Sequence, residues 1–396
     1  MSKKKIFVID KLAAGYNHVS FNAAITSIIA EIYKNDDVFF ISESVHAEAV
    51  AAKNIYFSNL KYHPYIEAQI PTGYLKALIP FIKKKINDFF FIKDIYNNHT
   101  KNADAVFFTC LSSTSLLYAG YKAKKVKMPV FFVIHGEIEF LFITGISIIS
   151  KIRSKIYKLF LRQLGKTVKI LVLSEIVKAK LIEAQNLPAN RIIVIGHPII
   201  GICNDKKPIS NNKIVFGHIG IALEKKNSTL FFELADSHVA AVQKGHAEFR
   251  LIGKIQLGLK VKNFGAVNII SKDNKSLATG EYEENIADID YAVFTFTEDN
   301  YVYRVSGSLI DSIACLKPII ALKHSYFNYL FKTSGNIGFL CDTFEELDTL
   351  LTRIINKEKY LLDQYQFQQM NLRKLAETQS LAQIKNKLSV LVSSEA

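Results

Sequence analysis

The chain of 396 residues is 49% hydrophobic and 22% charged, which excludes wholesale disorder and leaves room for two domains with separate cores. Its net charge of +14 is uneven: residues 1–200 hold 27 Lys and Arg against 14 Asp and Glu, whereas residues 201–396 hold 23 against 22. A basic first half and a neutral second half point to an anionic partner for the first half alone.

Residues 6–9 read as a first strand rather than a signal peptide, because the apolar run after the basic start is only four residues long. They lead into Asp10-Lys-Leu-Ala-Ala-Gly15-Tyr-Asn-His18 and then the helical pattern of Ala23, Ile25, Ile28, Ile29 and Ile32. Strand, glycine-bearing loop and helix open a doubly wound domain, in which Asp10 and His18 stand at the strand's carboxyl end, where such sheets place ligands. The plainer reading of the same two residues is an Asx turn and a surface histidine. After a second strand at 38–42, a long section, residues 54–102, intervenes before the strand at 105–109. Within it Leu75 to Ile92 sets lysines beside aromatics, as a packed helix with a solvated edge or as a segment suited to an anionic bilayer.

The strand at 129–134 ends in His135-Gly136-Glu137. A titratable pair there suits proton transfer or the binding of sugar hydroxyls; the alternative for His135 is a satisfied structural histidine. Residues 147–166 form the clearest amphipathic helix, with Lys151, Lys155, Lys158, Arg162 and Lys166 on one face and Ile156, Tyr157, Phe160, Leu161 and Leu164 on the other. Six cations and no acid suit anionic head groups, or equally a solvated face on a core helix. Strands at 170–174 and 191–195 and the turn Gly196-His-Pro198 close the domain, and the polar residues 201–212 read as a linker.

A second strand–loop–helix unit follows: a strand at 214–217 ending in Gly217, the loop carrying Gly220, Lys225 and Lys226, and a helix from Ser228. Such a loop can bring backbone and ammonium groups to a diphosphate, although a plain βα connection fits it too. Further strands are expected at 249–252, 267–270, 291–297 and 318–322, with a short acidic helix, Gly280-Glu-Tyr-Glu-Glu-Asn285, before the third of them. Between the last two, Arg304-Val-Ser-Gly-Ser-Leu-Ile-Asp311 starts a helix for which Ser306 is placed as cap. The N–H groups of Gly307 and Ser308 then lie at a positive helix end, the outline of a phosphate site. Four cysteines, Cys110, Cys203, Cys315 and Cys341, have no CxxC spacing. The sequence thus predicts neither a disulfide framework nor structural zinc, and a reducing, cytoplasmic setting. No run of about eighteen apolar residues predicts a transmembrane helix.

Two successive βα domains, a linker near residue 200 and Ser-Gly-Ser-x2-Asp-x6-Pro in the second domain resemble GT-B glycosyltransferases, more narrowly glycosyltransferase family four. The resemblance implies an α/β fold of two Rossmann-like doubly wound domains, 1–200 and 201–370, facing each other across a cleft, with a helix at 371–396 crossing back to the first. In that family a Glu-x7-Glu motif precedes Ala-x-Ala-x-Gly-x-Pro, and the second acid holds the donor ribose. Read back from Pro318, Asp311 stands at the second acid, Tyr303 at the first and Leu316 at the glycine. Tyr303 cannot act as a carboxylate, so the motif's usual retaining stereochemistry does not transfer.

The resemblance makes Gly217, Lys225, Lys226, Arg304, Ser306, Gly307, Ser308 and Asp311 the donor-binding set, and it implies a nucleotide sugar as co-substrate with no metal. His135, Glu137, Asp10 and His18 are the candidates facing the sugars and the acceptor proton. Lys151, Lys155, Lys158 and Arg162 would face a saccharide or polyprenyl-diphosphate-linked acceptor at the inner face of the cell membrane, in polysaccharide assembly. The alternatives are an epimerase on the same scaffold, a non-catalytic partner and a nucleic-acid-binding protein; the last lacks any nucleic-acid module, so no nucleic acid is expected as partner.

Overall fold

The computed structural model describes residues 2–54, 57–66, 78–142, 148–185, 187–203, 213–298 and 304–395. Residues 1–200 together with 380–396 form one unit and residues 201–379 the other. Both are built on parallel sheets whose inner strands are buried on both faces, as continuous apolar runs require.

In the first unit β1 (Lys5–Asp10), β2 (Asp37–Glu43), β3 (Leu60–Tyr65), β4 (Ala105–Cys110), β5 (Val130–Ile134), β6 (Val168–Val172) and β7 (Ile192–Val194) are ordered β3-β2-β1-β4-β5-β6-β7. Ile6 of β1 pairs with Val38 on one side and Ala105 on the other. The chain therefore winds outward from β1 to β3 and returns to the far side at β4, which makes the β1/β4 carboxyl ends a topological switch point. Neighbouring residues of β4 face opposite sides of the sheet, so Phe107 stacks on Phe131 at 4.4 Å and Phe108 on Phe132 at 5.0 Å, one pair in each layer. β3 was not foreseen, because it is a polar edge strand containing Pro64 in which Leu60 alone is buried.

In the second unit β8 (Ile214–Ile219), β9 (Ala247–Ile252), β10 (Val267–Ile269), β11 (Tyr291–Phe294), β12 (Ile319–Leu322) and β13 (Gly338–Cys341) are ordered β10-β9-β8-β11-β12-β13, with the switch point at β8/β11. Phe216 stacks on Phe249 at 5.3 Å and on Tyr291 at 6.0 Å, tying three strands together. β11 ends at Phe294, three residues short of the expected strand, which leaves Thr295, Phe296 and Thr297 to the loop above the sheet. Leu316, where the resemblance reserves a glycine, is left-handed at φ 53° just after the Gly307–Ala314 helix. A side chain there costs about 1 kcal/mol in backbone strain, which burial of the leucine offsets.

The Lys359–Thr378 helix stays with the second unit, where the Tyr365 hydroxyl donates to the Asp290 carbonyl at 3.1 Å. The chain re-enters the first unit at Ser380, nine residues later than 371, and Lys385 of the Leu381–Glu395 helix meets Glu31 at 2.5 Å. A second correction concerns the cysteines. Cys203 and Cys315 form a disulfide with Cα atoms 4.6 Å apart across 112 residues of sequence, and the Cys203 N–H donates to the Ala314 carbonyl. Folding, not spacing, brings the segment after the unit boundary onto the end of the Gly307–Ala314 helix. No helix among the described residues is long and apolar enough to cross a membrane.

The loops after β8 and β9 touch through backbone. A Cβ on Gly253, at φ 151°, would lie 2.2 Å from the Gly220 carbonyl oxygen. Gly253→Ala is expected to destabilise the second unit by on the order of 2 kcal/mol, read as a lower urea midpoint with unchanged slope. Acid should destabilise both units. Burial lowers the pKa values of His197 and His324 to about 4 and of His218 to about 3. The unfolded chain then binds more protons than the folded one between pH 6.5 and about 4, so stability is complete above 6.5 and falls as pH drops through that window. Asp290, raised to about 6 by burial, acts in the opposite sense, and alone against two histidines in the second unit. A thermal midpoint of that unit that rises between pH 7 and pH 4.5 would contradict the assignment of neutral buried histidines.

Candidate functional site

The second unit gathers its polar side chains at the β8/β11 switch point. β8 runs out at Ile219, and Gly220, at φ 85°, turns the chain into a loop closed by a short 3-10 turn over Glu224–Lys226 and by left-handed Asn227. The Ser228 hydroxyl accepts from the Leu223 N–H at 3.0 Å and pairs with His218 Nε2 at 2.9 Å. Thr295, just past β11, donates to the Lys226 carbonyl at 2.9 Å. These bonds fix the loop so that Lys226 points inward, 7% exposed, while Lys225 points to solvent.

Three elements meet at the Lys226 ammonium. It lies 5.7 Å from the centre of the Phe296 ring. A Cβ placed on Gly220 would be 3.5 Å from Lys226 Nζ and 3.6 Å from Ser308 Cβ, so the missing side chain of Gly220 leaves room beside both. Ser308 belongs to the first turn of the Gly307–Ala314 helix, and its hydroxyl pairs with that of Ser306 at 2.7 Å. Ser306 is the N-cap by position, but its side chain makes no capping bond; its carbonyl instead receives the N–H groups of Leu309 and Ile310. The first-turn N–H groups of Gly307 and Ser308 have no helical partner. Asp311, one turn further, accepts from the Tyr282 hydroxyl at 2.9 Å. Burial lowers the Lys226 pKa to about 8, with Asp311 raising it and Arg304 lowering it further, so the three charges share one field. A buried ammonium, a guanidinium and a helix start together have the chemistry to hold an anion, and the carboxylate beside them suits hydroxyl groups.

Gly217 does not belong to this set. It lies within β8, where a Cβ would strike Ile289 at 2.5 Å, so it serves sheet packing. Gly220, three positions on, is the glycine that lies beside Lys226 and Ser308. Tyr303 lies outside the described residues. His218, Ser228, Thr295 and Tyr282 carried no signal in the sequence, since each is recognisable only by what it touches.

In the first unit Asp10 is fully buried, and its carboxylate accepts four hydrogen bonds: from the Leu12 and Ala13 N–H groups at 3.0 and 2.8 Å, from Asn22 Nδ2 at 2.7 Å and from the Thr109 hydroxyl at 3.1 Å. A carboxylate with those four donors is taken up in holding the loop, the Asx-turn reading of Asp10 rather than the catalytic one. Asn22 Nδ2 also meets His46 Nε2 at 2.8 Å, and His46 Nδ1 meets the Gly15 carbonyl at 2.9 Å, bracing the same loop. His18 ends that loop in the left-handed region at φ 59° and is exposed. Its ring lies edge-on to His135 at 5.1 Å; Phe21 in turn lies edge-on to His135 at 4.4 Å and to His197 at 5.2 Å. His135 Nε2 donates to the Thr109 carbonyl at 3.0 Å. Two of the expected candidates, His18 and His135, are thus brought together, joined by His197, while the Glu137 side chain lies outside the described residues. Among the described residues no group of three or more His, Cys, Asp or Glu is arranged to hold a metal ion.

The apolar face of the Ile148–Arg162 helix meets protein: Tyr157, Phe160 and Leu161 are buried, and Phe160 packs on Phe132 at 5.2 Å and over Gly120. Lys151, Lys155 and Arg162 face solvent and Lys158 is half-buried, with exposed Ile152 and Leu159 among them. The Ser113–Ala123 helix packs between this helix and Leu78–Asp94. Together the three expose Phe89, Phe90, Tyr121, Ile152 and Leu159 beside Lys93, Lys124 and Lys125.

No protein-family model matches the sequence, and a comparison with curated proteins finds no match. Solved structures do match. Anabaena HepE in complex with UDP-glucose is similar with a TM-score of 0.66 and 13% identity, over 98% of this chain and 99% of that one. A glycosyltransferase from Rickettsia africae gives 0.62 and 15%, over 100% and 99%. WaaG, a glycosyltransferase involved in lipopolysaccharide biosynthesis, gives 0.62 and 13%, over 98% and 99%. Identities this low establish architecture and nothing finer, and on that ground the chain has the GT-B fold of two Rossmann-like α/β units.

Proposed function

We propose that the protein is a glycosyltransferase that moves a sugar from a nucleoside-diphosphate sugar, held by the second unit, to an acceptor held by the first. One observation carries the reading: the buried Lys226 ammonium converges with Gly220, Ser308 and the Gly307–Ala314 helix start, one turn from Asp311. The solved complexes of HepE with UDP and UDP-glucose support a uridine donor, and the family-four resemblance supports Asp311 as the ribose ligand.

The chemistry needs charge stabilisation above all. As the bond from the anomeric carbon to the diphosphate oxygen breaks, its electron pair leaves with the diphosphate, and Lys226, Arg304 and the N–H groups of Gly307 and Ser308 stabilise the growing negative charge. The acceptor oxygen forms the new bond to the anomeric carbon. If the configuration inverts, its proton must pass to a group of the first unit, for which His18, the exposed ring beside His135, is the candidate. The basic, partly apolar face built from the Ile148–Arg162, Ser113–Ala123 and Leu78–Asp94 helices supports an acceptor carried at an anionic membrane surface, such as a polyprenyl-diphosphate-linked saccharide, and polysaccharide assembly as its setting.

Calorimetry with UDP-glucose and GDP-, ADP- and UDP-sugar competitors tests the donor reading; no binding of any of them overturns it. Lys226→Met should weaken the best donor about 10- to 100-fold. Because the free ammonium titrates near 8 and a bound diphosphate keeps it charged, affinity should be flat at pH 6.5–7.5 and fall by up to tenfold per unit above 8. Lys226→Arg should remove that fall. For the membrane face, flotation with phosphatidylglycerol vesicles should capture the protein at moderate salt, and a Lys151/Lys155/Lys158 triple alanine variant should bind on the order of 100-fold more weakly. Equal flotation of both proteins would remove the cationic helix from the account.

A further inference from the structure

The Thr279–Ala287 helix presents Glu281, Glu283 and Glu284 to solvent and turns Tyr282 the other way, onto the end of Asp311. We infer that Tyr282 is a positioning residue for the donor ribose: its hydroxyl, donating to Asp311 Oδ2 at 2.9 Å, fixes the plane of that carboxylate so that its remaining acceptor directions meet a ribose hydroxyl. The inference rests on the proposed role of Asp311 and goes beyond it, by naming a residue on a separate element that sets how well Asp311 performs.

Three observations bear on it. Asp311 follows Gly307 and Ser308 by a single turn of the same helix, so its carboxylate stands beside the helix start that the proposal gives to the diphosphate. An aspartate turns freely about its last torsion unless something holds it, and a carboxylate offers about four acceptor directions, so the Tyr282 donor restricts the plane in which the other directions lie. Burial first, and then the Asp311 charge, push the Tyr282 hydroxyl well above its usual range; it therefore stays a proton donor across the working range of pH. The opposing reading is that Asp311 merely satisfies the hydroxyl of a half-buried tyrosine. The two readings differ in whether removing the hydroxyl changes what the site prefers.

The test is a cycle between protein and ligand. Dissociation constants of UDP and GDP are measured against their 2′-deoxy and 3′-deoxy forms for the wild type, Tyr282→Phe and Asp311→Asn. Phe keeps the ring and removes the hydroxyl alone, and apo thermal midpoints confirm that each variant is folded. In the wild type, loss of the hydroxyl that Asp311 holds should weaken binding about 10- to 100-fold. Asp311→Asn should reduce that penalty to within about threefold, and Tyr282→Phe should bring it to less than half its wild-type logarithm while leaving the deoxy ligand's affinity unchanged. A full penalty in Tyr282→Phe, with the penalty lost in Asp311→Asn, overturns the positioning role and leaves the ribose reading standing. A full penalty in Asp311→Asn, or none in the wild type with either base, overturns the ribose reading and the positioning role with it. A uniform loss for all ligands in Tyr282→Phe, at constant ratio, assigns Tyr282 to structure and overturns the inference.

Discussion

Burial of the Lys226 ammonium is the constraint to which the second unit's site conforms. A cation 7% exposed loses most of its hydration, a penalty of several kcal/mol that only neighbouring groups can offset. The Phe296 ring and the field of Asp311 offset part of it, and Arg304 works against them. Burial consequently lowers the lysine's pKa to about 8, and an arriving anion would add counter-charge to that of Asp311. The loop that imposes this burial is held by bonds with no direct part in chemistry: Ser228 to Leu223 and His218, and Thr295 to Lys226. A site organised in this way is preorganised for an anion at some cost to the stability of the empty protein.

The first unit treats its equivalent position differently. Both sheets put a loop over the carboxyl end of their first strand, β1 or β8, at the switch point. Over β8 the loop holds a cation that reaches the site. Over β1 it is gathered around a carboxylate that is entirely consumed, since Asp10 ties Leu12, Ala13, Asn22 and Thr109. What the first unit offers a ligand is instead the aromatic and imidazole group of His18, Phe21, His135 and His197, drawn from the ends of β1, β5 and β7. Rings of that kind suit sugar faces and hydroxyls, as the loop over β8 suits phosphate. Among the described residues, Lys93, Lys124, Lys125, Lys151, Lys155 and Arg162 of the first unit lie exposed on or beside its packed helices.

Most of the strands and helices, the two βα units, the boundary near residue 200 and the helix start at Ser306–Ser308, with Asp311 one turn on, were legible from local pattern. Apolar run length, glycine-bearing loops and the spacing back from Pro318 are short-range properties that a sequence displays directly. The same local evidence could not separate Lys225 from Lys226, or Gly217 from Gly220, or a working carboxylate at Asp10 from a structural one. Each of those distinctions depends on which neighbour arrives from a distant part of the chain: Thr295 to hold Lys226, Ile289 to fill the space at Gly217, Thr109 to complete Asp10. The bond between Cys203 and Cys315 and the pairing of Tyr282 with Asp311 belong to the same class. By itself the sequence determined the elements and the kind of chemistry available at their ends; the tertiary structure alone decided which of the candidate side chains are buried, charged and facing one another, because burial and pairing are set by contacts between residues far apart in the chain.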